Sequence, residues 1–401
     1  MTLAEYASLY IESRRIPVTK QLIAIALAIA LAPPVVAAPP IVQIVHSFNG
    51  ADGDRPSTER PLVRGPSGTL FGVTQQGGAT NEGALFFLDS RDRFYLVESF
   101  SSHGNHGWMP NSVFFSESGQ LYGTTAFGGA YGCGTAYRVR WPGRADTIHS
   151  FDCVDGNQPS GRVVAPDGFF YGSTGFGGNA ATGNVYRLSP AGNVTTLYEV
   201  QQRFSNESGM YWGLAPGLNG ELIGATMGWD VGDFHGVVFK LDVAGNFSIL
   251  HTFAGGADGS RPTSTPVVAA DGTVYGTTYA GGINNAGTLY RITPQGDYSV
   301  VHNFGGTVGL ENNPAGPFGG VVLSANGNLY GTATGGGPGN HGTIYEFTPS
   351  GEFQVVYTFS GDGGFSYPQG GLVETTTGTF YGTTGGGGDF RLGTIYKMQL
   401  Q

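Results

Sequence analysis

The sequence predicts an all-β fold, a seven-bladed β-propeller with four antiparallel strands per blade. Three observations carry this: a short segment that recurs seven times, hairpin turns spaced between strand-like runs, and chain ends whose strand registers complement each other. The segment is Phe71-Gly72-Val73-Thr74, Tyr122-Gly123-Thr124-Thr125, Tyr171-Gly172-Ser173-Thr174, Ile223-Gly224-Ala225-Thr226, Tyr275-Gly276-Thr277-Thr278, Tyr330-Gly331-Thr332-Ala333 and Tyr381-Gly382-Thr383-Thr384. The spacings are 51, 49, 52, 52, 55 and 51 residues, a regularity that chance does not produce.

The fifth repeat shows the pattern. Pro266 to Ala270 reads as a first strand, Asp271-Gly272 as a turn, and Thr273 to Thr278 as a second strand. A loop, Gly281 to Asn285, precedes a third strand, Gly287 to Thr293; Pro294-Gln295-Gly296 then turns into a fourth, Asp297 to Phe304. Asp-Gly and Pro-x-Gly between alternating runs are hairpin signals, and four such strands in about fifty residues make one propeller blade.

The third strand carries Phe86, Tyr137, Tyr186, Phe239, Tyr290, Tyr345 and Tyr396. The fourth ends in Phe48, Phe100, Phe151, Val200, Phe253, Phe304 and Phe359. A residue present in every copy points to packing between neighbouring blades. The same logic assigns His46, His149, His251 and His302 a structural role. At the ends, 41–48 reads as a fourth strand and 393–399 as a third. Pairing the N-terminal strand 41–48 with the C-terminal blade closes the ring and leaves no open seam.

Composition agrees. Glycine makes up 70 of 401 residues, well above the usual share of about 7%. Aromatics at 12% separate the chain from disordered Gly-rich sequences. The net charge of −10, with no Lys/Arg run beyond the first twenty residues, argues against nucleic-acid binding. In residues 1–37, Arg14, Arg15 and Lys20 precede the apolar run Leu22 to Ala32, which has the length of a signal-peptide core. Cleavage is expected before Ala38, with an uncleaved N-terminal anchor as the alternative; Ser13-Arg14-Arg15 resembles part of a twin-arginine export motif. The domains are therefore a signal peptide, 1–37, and a propeller, 41–400, that is exported, without a membrane span after cleavage, and monomeric.

The recurring Leu-Tyr-Gly-Thr-Thr, the Gly-Gly loop, Gly-Thr-aromatic, His-Ser-Phe and Asp-Gly-x-x-Pro, read in one copy from Tyr122 to Pro159, resemble the GloVer-type (Gloeo/Verruco) tandem repeat family of exported bacterial proteins. The resemblance spans roughly 41–400. It implies a secreted or surface-anchored repeat protein and supplies no shared catalytic residues. Kelch propellers are similar in their Gly-Gly doublet only.

Cys133 and Cys153, the only cysteines, flank the third and fourth strands of blade two about Gly143, in its turn. An antiparallel hairpin centred there sets them opposite each other, and a disulfide is expected in an exported chain. Its chain-entropy contribution would be about 3 kcal/mol.

Loops between second and third strands and linkers between blades share one face, and these are the long ones. Sites sit on loops carried by rigid frames, so copies that break the pattern on this face are the candidates. Blade four breaks it most: its loop and incoming linker bring Trp212, Trp229, Tyr211, Arg203, Glu207, Asp230, Asp233 and His235 to one side. Aromatics stack on sugars and charged groups orient them; the competing explanation is drift of a degenerate repeat. His103-Gly104-Asn105-His106 has metal-ligand spacing without a third ligand, and Asp52, Asp54, Asp155 and Asp258 invite calcium, although their recurrence favours turn-making. No metal or other cofactor is assigned. No Gly-x-Ser-x-Gly, His-Glu-x-x-His or phosphate loop occurs. The expected function is a binding scaffold for an extracellular glycan or protein. One alternative is a polysaccharide hydrolase or lyase using Glu207, Asp230 and His235; another is a structural matrix protein without a discrete site.

Overall fold

Seven antiparallel sheets form from the described residues of the computed structural model, which are 38–56, 61–103, 106–141, 143–164, 168–179, 181–199, 213–227, 235–242, 244–305, 315–361 and 366–401. The expected signal peptide, 1–37, lies outside them. Blade two is representative: Trp108–Phe115, Leu121–Phe127, Thr135–Arg140 and Arg144–Ser150 pair in that order. In blade seven, Val373–Thr376, Thr379–Thr384 and Thr394–Gln399 are completed by the N-terminal strand Ile41–Ser47, antiparallel to Thr394–Gln399. This is the expected closure. Asp92 of blade one fastens the seam, accepting from Tyr381 Oη at 2.6 Å and pairing with Lys397 Nζ at 3.0 Å. Among the described residues, no helix is long and apolar enough to cross a membrane.

The repeated motif has a steric cause. Each motif glycine lies directly opposite the third-strand aromatic, as Gly123 does Tyr137, Gly276 Tyr290 and Gly331 Tyr345. A Cβ at any of these three would lie 2.3 Å from the tyrosine oxygen, so only glycine lets the ring cross the strand. The ring then meets the phenylalanine that ends the previous blade's fourth strand. Phe48–Phe86, Phe100–Tyr137, Phe151–Tyr186, Phe253–Tyr290, Phe304–Tyr345 and Phe359–Tyr396 all have centroids 5.0–5.5 Å apart. These rings are fully buried, so the aromatic ladder packs blade on blade as expected. The last motif threonine caps the loop, bonding its third-strand counterpart at 2.8 Å in Thr125–Thr135, Thr278–Thr288 and Thr384–Thr394.

Two details differ from the sequence reading. The first strand of blade five is not Pro266 to Ala270 but two short pieces, Ser260–Pro262 and Val267–Val268, because Pro262 and Pro266 cannot donate to a continuous ladder. The blade-two hairpin also pairs Arg140 with Arg144, so its pairing is not centred on Gly143. A bulge at Ile148 then shifts the register by one, which brings the pairing closer to the alignment of the cysteines. Every fourth strand has this bulge. The extra residues Val45, Val97, Ile148, Leu197, Leu250, Val301 and Val356 all pack against the clusters between blades.

The repeated histidines belong to the same packing. His46, His251 and His302 stack on Phe94, Tyr298 and Phe353 with centroids 3.5–3.7 Å apart. Burial lowers the His302 pKa to about 4 and, more weakly, lowers that of His46 against the pull of Asp52. The unfolded chain takes up these protons near pH 6.5 and the folded chain does so only lower down. Their contribution is therefore complete above pH 6.5 and lost as pH falls towards 4. Denaturant midpoints should decline across that window, and His302→Phe should flatten the decline; an unchanged slope would contradict this assignment.

Candidate functional site

The long-loop face is built from two repeated clamps. The residue before each third strand is a glycine, and in six blades the linker proline entering the next blade sits on it. A Cβ would meet the proline Cδ at 2.4–2.7 Å in Gly83–Pro110, Gly134–Pro159, Gly236–Pro262, Gly287–Pro317, Gly342–Pro368 and Gly393–Pro56. The residue before that proline is left-handed: φ is 51° at Arg55, 53° at Met109, 54° at Gln158, and 57° at Arg261 and Tyr367. A side chain pays for this conformation, doubly so before proline. The strain is held by a backbone bond in each case. Met109, Gln158, Arg261, Tyr367 and Arg55 donate their N–H to the carbonyls of Glu82, Cys133, His235, His341 and Leu392 at 2.8–3.1 Å.

Those five acceptor residues form the second clamp, reaching the linker through a carboxylate, a disulfide, two imidazole rings and a leucine. Glu82 accepts the Ser102 N–H at 2.6 Å. Cys133 and Cys153 form the expected disulfide, with Cα atoms 5.4 Å apart. The rings of His235 and His341 lie over Gly255 and Gly361, and Leu392 lies over Gly50. His235 is thus a clamp residue in a position shared by every blade named here. Trp212, Trp229, Tyr211, Arg203, Glu207, Asp230 and Asp233 lie outside the described residues.

The other candidates serve turns. Asp52, Asp155 and Asp258 each accept a backbone N–H of their own linker at 2.7–2.9 Å and bind His46, His149 and His251 at 2.6–3.1 Å. The His106 carbonyl accepts from Thr135 Oγ1 at 2.7 Å, and Trp108 stacks on Phe127. Among the described residues, no three His, Cys, Asp or Glu side chains converge to hold a metal.

With the frame fixed, the side chains it displays differ from blade to blade. The pre-proline positions show Arg55, Met109, Gln158, Arg261 and Tyr367. The loops starting Gly-Gly show Tyr131, Ile283 and Phe390 at 64%, 74% and 57% exposure. Val154, Tyr279 and Tyr367 are exposed on the same face. Sequence reading missed this set because it sought residues that break the pattern, whereas these stand at regular positions within it. Their signal is readable: the glycines and prolines recur while the residue beside them changes.

Among curated proteins, none matches the sequence. Solved structures are similar to this chain at low sequence identity. A puromycin hydrolase is 12% identical with a TM-score of 0.54, over 87% of this chain and 53% of its own. A putative gluconolactonase is 14% identical with a TM-score of 0.44, over 92% and 97%. A gluconolactonase from Xanthomonas campestris is 11% identical with a TM-score of 0.46, over 92% and 99%. The sequence pattern of the Gloeobacter/Verrucomicrobia repeat matches residues 36–230 and again 213–401. Those two matches take in all seven blades, and the chain belongs to the Gloeobacter/Verrucomicrobia repeat family.

Proposed function

We propose that this protein is an exported binding scaffold that presents its long-loop face to an extracellular glycan. The observation that carries the reading is the contrast on that face between a repeated, sterically fixed frame and displayed side chains that vary among the blades. Exposed Tyr131, Tyr367 and Phe390 offer rings for stacking on sugars, and Arg55 and Arg261 offer charged donors. The candidates Trp212 and Trp229 would add rings from blade four. The signal-like segment and the Cys133–Cys153 disulfide support an oxidising compartment.

The test is a glycan array and polysaccharide pulldown with residues 38–401. Wild type should bind, and Tyr131→Ala/Tyr367→Ala/Phe390→Ala or Trp212→Ala/Trp229→Ala should weaken the hit about tenfold or more, the scale of losing one well-packed contact. Tyr95→Ala/Leu96→Ala on an outer strand should leave it unchanged. Binding that survives both face variants would sink the assignment. A wild type that binds no glycan would transfer the face to a protein partner. Turnover lost in Asp230→Asn would instead favour the polysaccharide-acting enzyme.

A further inference from the structure

The short-turn face carries a hollow between blades four and five, and the repeat explains its origin. At each blade junction the motif aromatic packs with the residue that opens the next blade's second strand. The pairs are Phe71 with Leu121, Tyr122 with Phe170, Tyr171 with Leu222, Tyr275 with Leu329, Tyr330 with Phe380, and Tyr381 with Leu70. Between blades four and five the pair is Ile223 with Val274, small at both positions. Here a cavity of about 250 Å³ opens, floored by Ile223, Leu250, Val268, Val274 and Ile292.

Its mouth is charged. Glu221 and Lys240 lie on the same sheet face as Ile223: Lys240 is its cross-strand partner, and Glu221 is two residues before it. Asp271 stands in the first turn of blade five. Among the described residues, none of the three is in an ion pair. Both carboxylates are held in place, Glu221 by the Asn219 N–H at 2.8 Å and Asp271 by the Thr273 N–H at 2.9 Å. A second hollow of about 340 Å³ adjoins the first and shares Asn219, Glu221 and Lys240.

From this we infer that the hollow between blades four and five is a binding site for a small aliphatic zwitterion, an amino acid with a branched apolar side chain. The floor is aliphatic and lacks a ring on which a sugar could stack. It takes the apolar side chain, Glu221 and Asp271 receive the ammonium, and Lys240 receives the carboxylate. The volume lies just below the range of about 300–1,000 Å³ usual for drug-sized ligands, which suits a ligand of about this size.

The probe is L-leucine, titrated into residues 38–401 and followed by methyl NMR. Saturable shifts at Ile223 and Val274 are expected, with 4-methylpentanoate and isopentylamine each binding at least tenfold more weakly. Ile223→Tyr/Val274→Leu, which restores the residues found at other junctions, should keep or raise the thermal midpoint and lose binding. If that variant fails to fold, Glu221→Gln and Lys240→Met carry the test at the surface, each expected to weaken binding tenfold. No saturable shift in wild type, or equal affinity in the filled or charge variants, would overturn the site. Isopentylamine binding as well as leucine would overturn the zwitterion assignment.

Discussion

Gly172→Ala is expected to lower stability by about 3 kcal/mol, the upper end for an overpacked core. A Cβ at this position would lie 2.3 Å from the Ser160 carbonyl oxygen and 2.6 Å from Tyr186 Cζ. One obstacle is backbone and the other is a buried ring set between Phe151 and the first strand, so neither can give way cheaply. Urea denaturation reads the loss directly. Adding Tyr186→Leu should recover part of it, because the smaller side chain withdraws one of the two obstacles. A Gly172→Ala protein with the wild-type midpoint would refute the steric account of the motif.

Removing residues 38–49 should have a larger effect. The strand Ile41–Ser47 supplies the whole outer edge of blade seven, and Phe48 is fully buried against Phe86 and Phe94. Truncating one such phenylalanine costs about 3–5 kcal/mol, comparable to a large part of a domain's 5–15 kcal/mol. Losing it with a complete strand should abolish cooperative unfolding and expose the Thr394–Gln399 edge to self-association. Thermal unfolding and size-exclusion chromatography of residues 50–401 check this. A monomeric, cooperatively unfolding 50–401 chain would contradict closure by the N-terminal strand.

Much of this architecture was legible in the sequence because each blade repeats the same solution. Motif glycines and third-strand aromatics announce themselves by recurrence, and complementary ends such as Ile41 and Gln399 predict the closing pair. The fourth-strand bulges were not legible. Val45, Ile148 and Val301 look like ordinary apolar strand residues, and only the pairing shows that one of them is extra. Left-handed pre-proline residues were hidden for a similar reason, since Arg55 or Tyr367 before proline would ordinarily be extended. At the candidate site, His235 was read as an irregularity, yet it occupies the clamp position that Cys133 and His341 also fill. The charged hollow went unnoticed because Ile223 counts as one more motif residue until its neighbour Val274 is known.

A stability scan of every single substitution, read by protease resistance of the displayed protein, tests most directly whether the long-loop face separates frame from display. Substitutions at Tyr131, Ile283 and Phe390 should fall within about 0.5 kcal/mol of wild type, as surface positions do. Gly83, Gly134, Gly342 and the prolines that cover them should tolerate almost nothing. If instead the displayed positions proved as intolerant as the frame, their side chains would be serving the fold, and the claim that this face exists to bind would fail.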